Sequence, residues 1–214
     1  MEIVVARYNE SLEWLGDYDS ESITILNKGN PIETIHKVIE LPNVGREGHS
    51  YYWYIVQHYD NLPEYITFLQ GNPHDHAPNL IYYYHTTKEL TPFEFKWLSE
   101  SILETNTTDC PTHQGLPMKS VYESMFKQPH KHIIFPFGAG AQFMVSRECI
   151  LKQPKAFYQQ IVDILSYSIH PIEGYVIERY HWLIFNQSIL TLDVSVDTTK
   201  EKPCYGSQED TQGM

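Results

Sequence analysis

The stretch YITFLQGNPHDH, Tyr65 to His76, decides how this chain is read. Tyr65 to Leu69 is an apolar run of strand length. It passes directly into a polar loop carrying Asn72, His74, Asp75 and His76. In α/β folds, the carboxyl ends of strands open into the ligand crevice. Upstream, Ser50 to Tyr59 places Tyr51, Tyr52, Ile55, Val56 and Tyr59 at spacings of three and four, which predicts a helix. Asn61-Leu62-Pro63 ends it. The resulting strand, loop, helix, strand succession predicts an α/β domain with a mostly parallel central sheet flanked by helices.

Working outward, Ile3 to Ala6 reads as a central strand, followed by the polar turn RYNES and a short helix from Leu12, Trp14 and Leu15. Ser22 to Asn27 and Val38 to Leu41 are expected as the second and third strands. On the carboxyl side, Pro92 to Leu103 is expected as a helix, and Ser120 to Phe126 as a short one within an irregular stretch. Ser146 to Glu148 begins a helix that resumes after Pro154. Phe157 to Ser168 and Glu178 to Phe185 are further helical segments. No repeat or linker interrupts the pattern. A single domain is expected over residues 1–199, with a polar tail over 200–214.

Composition bounds the function. The chain has 214 residues, 42% hydrophobic and 20% charged, enough for a sizeable core. Its formal net charge is −12 and it carries no basic cluster, so nucleic acid is not an expected partner. The aromatic content of 14% suits ligand clefts as well as cores. Cys110, Cys149 and Cys204 form neither a paired metal motif nor a disulfide framework. No apolar run reaches membrane-spanning length, and the opening MEIVVARYNE lacks a signal pattern. A reducing, cytoplasmic setting is therefore the expectation.

Four clusters carry candidate chemistry. In QGNPHDH, Gln70, Asn72 and His74 can meet phosphate oxygens, and Asp75 can bind a divalent cation with His74 or His76. The competing account is a structural loop in which Asp75 caps the next element. PNVGREG places Arg46 before a helix, where a guanidinium and a helix N-terminus both favour an anion. Neither phosphate fingerprint, GxGxxG or GxxxxGK[ST], is present. RYNES offers Arg7, Asn9 and Glu10 beyond the first strand, to grip a base or ribose or simply to cap a helix. GYVIERYHW supplies Glu178 as a candidate general base, with Arg179, His181 and Trp182 nearby. Trp182 suits a sugar face or the core, and Arg179 an ordinary ion pair.

The chain resembles a family of fungal, algal and large-virus proteins catalogued as domain of unknown function 3431. The resemblance rests on VVARYNESLEWL (Val4–Leu15), LPNVGREGHSY (Leu41–Tyr51), FLQGNPHDH (Phe68–His76), GAQFMVSRE (Gly140–Glu148) and GYVIERYHWLIF (Gly174–Phe185). The order of these blocks is more distantly similar to GT-A glycosyltransferases. That similarity implies a GT-A-like fold and transfer of a sugar from a nucleotide sugar to a glycan or small-molecule acceptor, with Mn²⁺ or Mg²⁺ assisting. It implies that Asn43, Gly45 and Arg46 of NVGRE join Arg7, Asn9, Gln70, Asn72 and His74 at the nucleotide. Glu47, Gln142, Arg179, His181 and Trp182 fall on the acceptor side, and Glu178 is the implied base. The usual Asp-x-Asp is replaced by His74-Asp75-His76, which leaves one carboxylate for a metal. A metal-dependent hydrolase or phosphoryl-transfer enzyme, and a non-catalytic carbohydrate-binding protein, are the alternatives.

Overall fold

The computed structural model describes residues 1–18 and 21–186. The expected tail over 200–214, Cys204 and the end of the expected domain lie outside them. Along the chain run β1 (Glu2–Arg7), a 3-10 turn (Glu13–Tyr18), β2 (Ser22–Asn27), β3 (Lys37–Glu40), α1 (Arg46–His58) and β4 (Tyr65–Gln70). A 3-10 turn at Pro73–Asp75 leads to α2 (Leu80–Glu89), β5 (Phe95–Trp97), β6 (Ile102–Asn106) and α3 (Met118–Phe126). The chain continues through β7 (Ile134–Gly138), β8 (Phe143–Ser146), α4 (Arg147–Leu151), α5 (Lys155–Leu165) and α6 (Ile172–Phe185).

The central sheet has six strands in the order β3-β2-β1-β4-β8-β5. β1 pairs parallel with β2 and β4, and β2 pairs parallel with β3. Only β8 runs against its neighbours β4 and β5. β6 and β7 form a separate antiparallel ribbon. The mostly parallel α/β domain read from the sequence is therefore observed.

The sheet is buried on both faces, because strand side chains alternate. Val4, Leu26, Ile66, Phe68 and Phe143 join a core with α1, α3, α5 and α6. Ile3, Val5, Ile25, Leu69 and Met144 face a second core containing Leu15, Tyr18 and the α2 residues Leu80 and Tyr84. Phe143 is the hub of the first core. Its ring lies 4.7 Å from His181, 5.2 Å from both Phe68 and Phe95, and 5.5 Å from Phe185.

The expected helix over Pro92 to Leu103 is not formed. That segment contains β5 and the start of β6. Phe95 and Trp97 point inward and Lys96 outward, a period of two. Pairing with β8 outweighs the local spacing that resembles a helix. The stretch expected to be irregular after Thr107 also holds β7, which pairs with β6.

Replacing Phe143 with Ala should cost about 3–5 kcal/mol, the usual loss for a fully buried aromatic. Urea denaturation measures it. A loss below about 1 kcal/mol would mean that the aromatic core is not close-packed.

Candidate functional site

Parallel pairing brings the ends of β1, β2 and β4 to one edge of the sheet. A cleft of about 690 Å³ opens there. Its floor and walls include Arg7 and Tyr8 after β1, Lys28 after β2, and Gln70, Asn72 and Asp75 after β4. Asn43, Arg46, Glu47 and Ser50 contribute from the start of α1, and Tyr175 from α6. Three clusters separated by long stretches of sequence thus share one cleft.

Each cluster is held by its own bonding. Arg7 is buried, and its guanidinium donates to the Glu10 and Tyr8 carbonyls at 3.0 and 3.1 Å. It also reaches Asn27 Oδ1 at 2.7 Å and the Asn30 carbonyl at 3.0 Å. Arg7 borders the cleft, but most of its donors knit the β1 and β2 loops together. Asn9 acts likewise, accepting the Asn30 amide at 2.9 Å. Neither Asn9 nor Gly45 is among the residues lining the cleft. Gly45 sits at φ 67°, and a Cβ there would come within 2.5 Å of the His49 Cβ and 2.8 Å of the Leu165 carbonyl oxygen. A left-handed turn under that crowding requires glycine.

The turn at Pro73–Asp75 separates the three residues of the His-Asp-His run. Asp75 lines the cleft, and its carboxylate has no hydrogen bond or ion pair among the described residues. His74 turns to Trp14, edge to face at 5.9 Å. His76 packs against Gly140, where an added Cβ would come within 2.5 Å of the His76 Cβ. Among the described residues, no group of three or more His, Cys, Asp or Glu side chains is arranged to hold a metal ion. Of the His-Asp-His run only Asp75 lines the cleft, both imidazoles are turned to other contacts, and no third donor joins Asp75 among the described residues, so the donor set does not fit a resident Mn²⁺ or Mg²⁺ centre. Gln142 is buried and donates to the Pro73 carbonyl at 2.9 Å, so it props the turn rather than lining the cleft.

Glu178 is not among the residues lining the cleft, but it neighbours Arg46 and Glu47, which are. Its Oε1 accepts the Gly140 amide at 3.2 Å. Burial first, and the neighbouring Glu47 second, push its carboxyl up to about 6, while Arg179 and Arg46 pull the other way. Glu47 itself lines the cleft and lies 3.6 Å from Arg46 Nε. The Arg46 guanidinium rests over the Tyr175 ring at 4.3 Å. The cleft therefore carries an Arg46–Tyr175 platform with a carboxylate pair beside it.

The other α6 candidates face elsewhere. Arg179 is buried, donating to the Tyr175 carbonyl at 2.7 Å and to Cys110 Sγ at 3.3 Å. His181 is fully buried, with Nδ1 2.7 Å from the Tyr52 hydroxyl, and burial pulls its imidazole down to about 3. It is a neutral core histidine. Trp182 stacks on Phe135 at 6.3 Å with nearly parallel rings.

Lys28, Ser50 and Tyr8 also line the cleft, although none was a candidate from the sequence. Lys28 Nζ donates to the Val44 and Arg46 carbonyls at 2.5 and 2.6 Å, pinning the NVGRE loop to the end of β2. Burial outweighs the attraction of Glu47 and pulls its amine down to about 7. Its one sequence signal was its position immediately after a strand.

Fold and cleft together define an α/β protein with a polar crevice at the carboxyl ends of parallel strands. The chain matches the family described as "Protein of unknown function (DUF3431)" over residues 3–207, and it belongs to that family. No curated protein matches it, and neither does any solved structure. Among the described residues, no helix is long and apolar enough to cross a membrane.

Glu178→Gln should stabilise the protein at neutral pH. The folded-state value is raised above that of an unfolded Glu, so the folded state binds the proton more tightly. Ionising Glu178 therefore lowers stability as pH rises from about 4.5 to about 6. Removing the charge should restore about 1–2 kcal/mol at pH 7, and the gain should vanish below pH ~4.5. Urea melts of both proteins at pH 4.5 and 7.5 check the sign. A variant less stable at both values would show that Glu178 is held by favourable ion pairing instead.

Proposed function

We propose that the cleft binds a nucleotide sugar and transfers its glycosyl group to an acceptor hydroxyl, as the GT-A resemblance implies. The observation that carries this reading is the convergence of three strand-end clusters on one cleft. Lys28 and Arg46 supply cationic groups, Asp75 a free carboxylate, and Glu47 with Glu178 a carboxylate pair. Cations oppose the phosphate charge, and an unpaired carboxylate accepts hydrogen bonds from sugar hydroxyls.

The chemistry follows from these placements. The carboxylate pair takes the proton of the acceptor hydroxyl, with Glu47 at the cleft surface and Glu178 beside it. A carboxyl raised to about 6 is ionised at neutral pH yet more basic than an ordinary Glu, which suits a general base. The acceptor oxygen attacks the anomeric carbon as the bond to the diphosphate breaks, and the nucleoside diphosphate leaves with the electron pair. Attack on the face opposite the leaving group inverts the anomeric centre. Lys28 and Arg46 stabilise the charge that gathers on the leaving diphosphate. No step requires a protein-held metal. The phosphoryl-transfer and hydrolase readings need several ligands converging on one cation, and no such group occurs among the described residues.

Nucleoside diphosphates should raise the melting temperature in the presence of chelator, and added Mn²⁺ should change the effect little. Nucleosides alone should give a much smaller shift. With a competent donor, Glu178→Gln should cut release of nucleoside diphosphate by about 10²-fold or more while donor binding is kept. Asp75→Asn should weaken binding of the nucleotide sugar more than that of the nucleoside diphosphate. If no nucleoside diphosphate or nucleotide sugar shifts the melting temperature, with or without metal, this function is wrong.

A further inference from the structure

The first turn of α1 combines several hydrogen-bond donors that lack acceptors. Ser50 is fully buried, and its Oγ has no hydrogen-bond partner among the described residues. A helical serine ordinarily bonds the carbonyl four residues earlier. Here that carbonyl belongs to Arg46 and already accepts from Lys28 Nζ at 2.6 Å. Ser50 nevertheless lines the cleft, and its buried hydroxyl has no internal acceptor among the described residues.

Lys28 is incomplete in the same way. An ammonium has three N–H donors, and two are spent on the Val44 and Arg46 carbonyls. Its depressed proton affinity marks a cation that burial has left under-compensated. The helix start adds to this. Gly45 at the N-cap gives no side-chain cap, and the amides of Arg46, Glu47 and Gly48 have no acceptor among the described residues. Uncapped amides and the helix dipole together favour an anion. Glu47 opposes an anion there, with Arg46 Nε 3.6 Å from its carboxylate, and Glu10 and Asp75 line the same cleft.

We propose that Ser50 Oγ, the third N–H of Lys28 and the free amides of the α1 start form a site for one phosphoryl group. This deepens the nucleotide-sugar reading by placing a phosphate of the donor at the start of α1. The chemistry recognised is a phosphate dianion or diester oxygen. An inorganic diphosphate and a nucleoside diphosphate share it, and a nucleoside lacks it.

Calorimetric titration at pH 6.5 with inorganic pyrophosphate, a nucleoside diphosphate and the matching nucleoside tests the site. Ser50→Ala removes only an unpaired hydroxyl, so its melting temperature should stay within a degree or two of the parent. Its affinity for pyrophosphate and for the nucleoside diphosphate should fall by a similar factor, about 10-fold, the usual loss for a hydrogen bond to a charged group. Lys28→Met should abolish pyrophosphate binding, but it also releases the NVGRE loop, so Ser50→Ala is the decisive variant. Pyrophosphate that does not bind the parent, or binds Ser50→Ala equally well, overturns the site. If nucleotide sugars bind and are turned over but are indifferent to Ser50→Ala, the site fails and the glycosyl-transfer reading stands. If pyrophosphate binds through Ser50 and no nucleotide sugar is turned over, the site stands and the transferase reading fails.

Discussion

Parallel pairing of β1 with both β2 and β4 is the constraint on which the rest of the structure depends. β1 is buried along most of its length, with Ile3, Val4 and Val5 fully enclosed. Strands that run the same way must end on the same side. Arg7, Lys28 and Gln70 are therefore delivered to one edge, although long stretches of chain separate them. The buried backbone there must bond to something. Arg7 satisfies the Tyr8, Glu10 and Asn30 carbonyls, and Lys28 satisfies those of Val44 and Arg46. The basic groups nearest the strand ends thus serve the scaffold first, and only their remaining donors face the cleft.

This division explains which parts of the site were legible in the sequence. β1, β2 and β4 were readable because a strand buried on both faces becomes a short continuous apolar run. Their polar continuations were readable as crevice residues for the same reason. β5 was not. Only three residues long, it alternates over Phe95, Lys96 and Trp97, while neighbouring Phe93 and Leu98 supply a competing three-and-four spacing. What decides the matter is pairing with β8, about fifty residues away in sequence. β7 was missed because it is recognisable only beside β6.

Within the site, density of polar residues was a poorer guide than position. QGNPHDH looked like one ligand set, yet its turn sends His74 to Trp14 and His76 to Gly140, leaving Asp75 to the cleft. His181 and Arg179 looked equally promising beside Glu178. On a helix, however, consecutive residues point about 100° apart, and α6 is enclosed on most sides. His181 therefore enters the aromatic core around Phe143, and Arg179 the pocket of Cys110 and Phe137. Ser50 and Lys28 were invisible for the opposite reason. A lone serine in a helix and a lone lysine after a strand are commonplace, and only the structure shows that Lys28 bonds the Arg46 carbonyl while the Ser50 hydroxyl is left without a partner among the described residues.

The charge pattern of the cleft follows from the same geometry. Lys28 and Glu178 both neighbour Glu47, and each is shifted towards its neutral form by burial. Glu47 partly offsets the shift of Lys28 and adds to that of Glu178. One carboxylate thus steadies the cation and raises the proton affinity of Glu178 at once. An anion entering beside Lys28 would favour its protonated form, by the same linkage that burial works in reverse. It would also raise the proton affinity of the carboxylate pair, making that pair a better base while the anion is present. Under the proposed chemistry, binding of a phosphate beside Lys28 and removal of a proton by the carboxylate pair would be coupled through space. Such a coupling would need no moving part, because the end of β2, α1 and α6 already hold the groups in place.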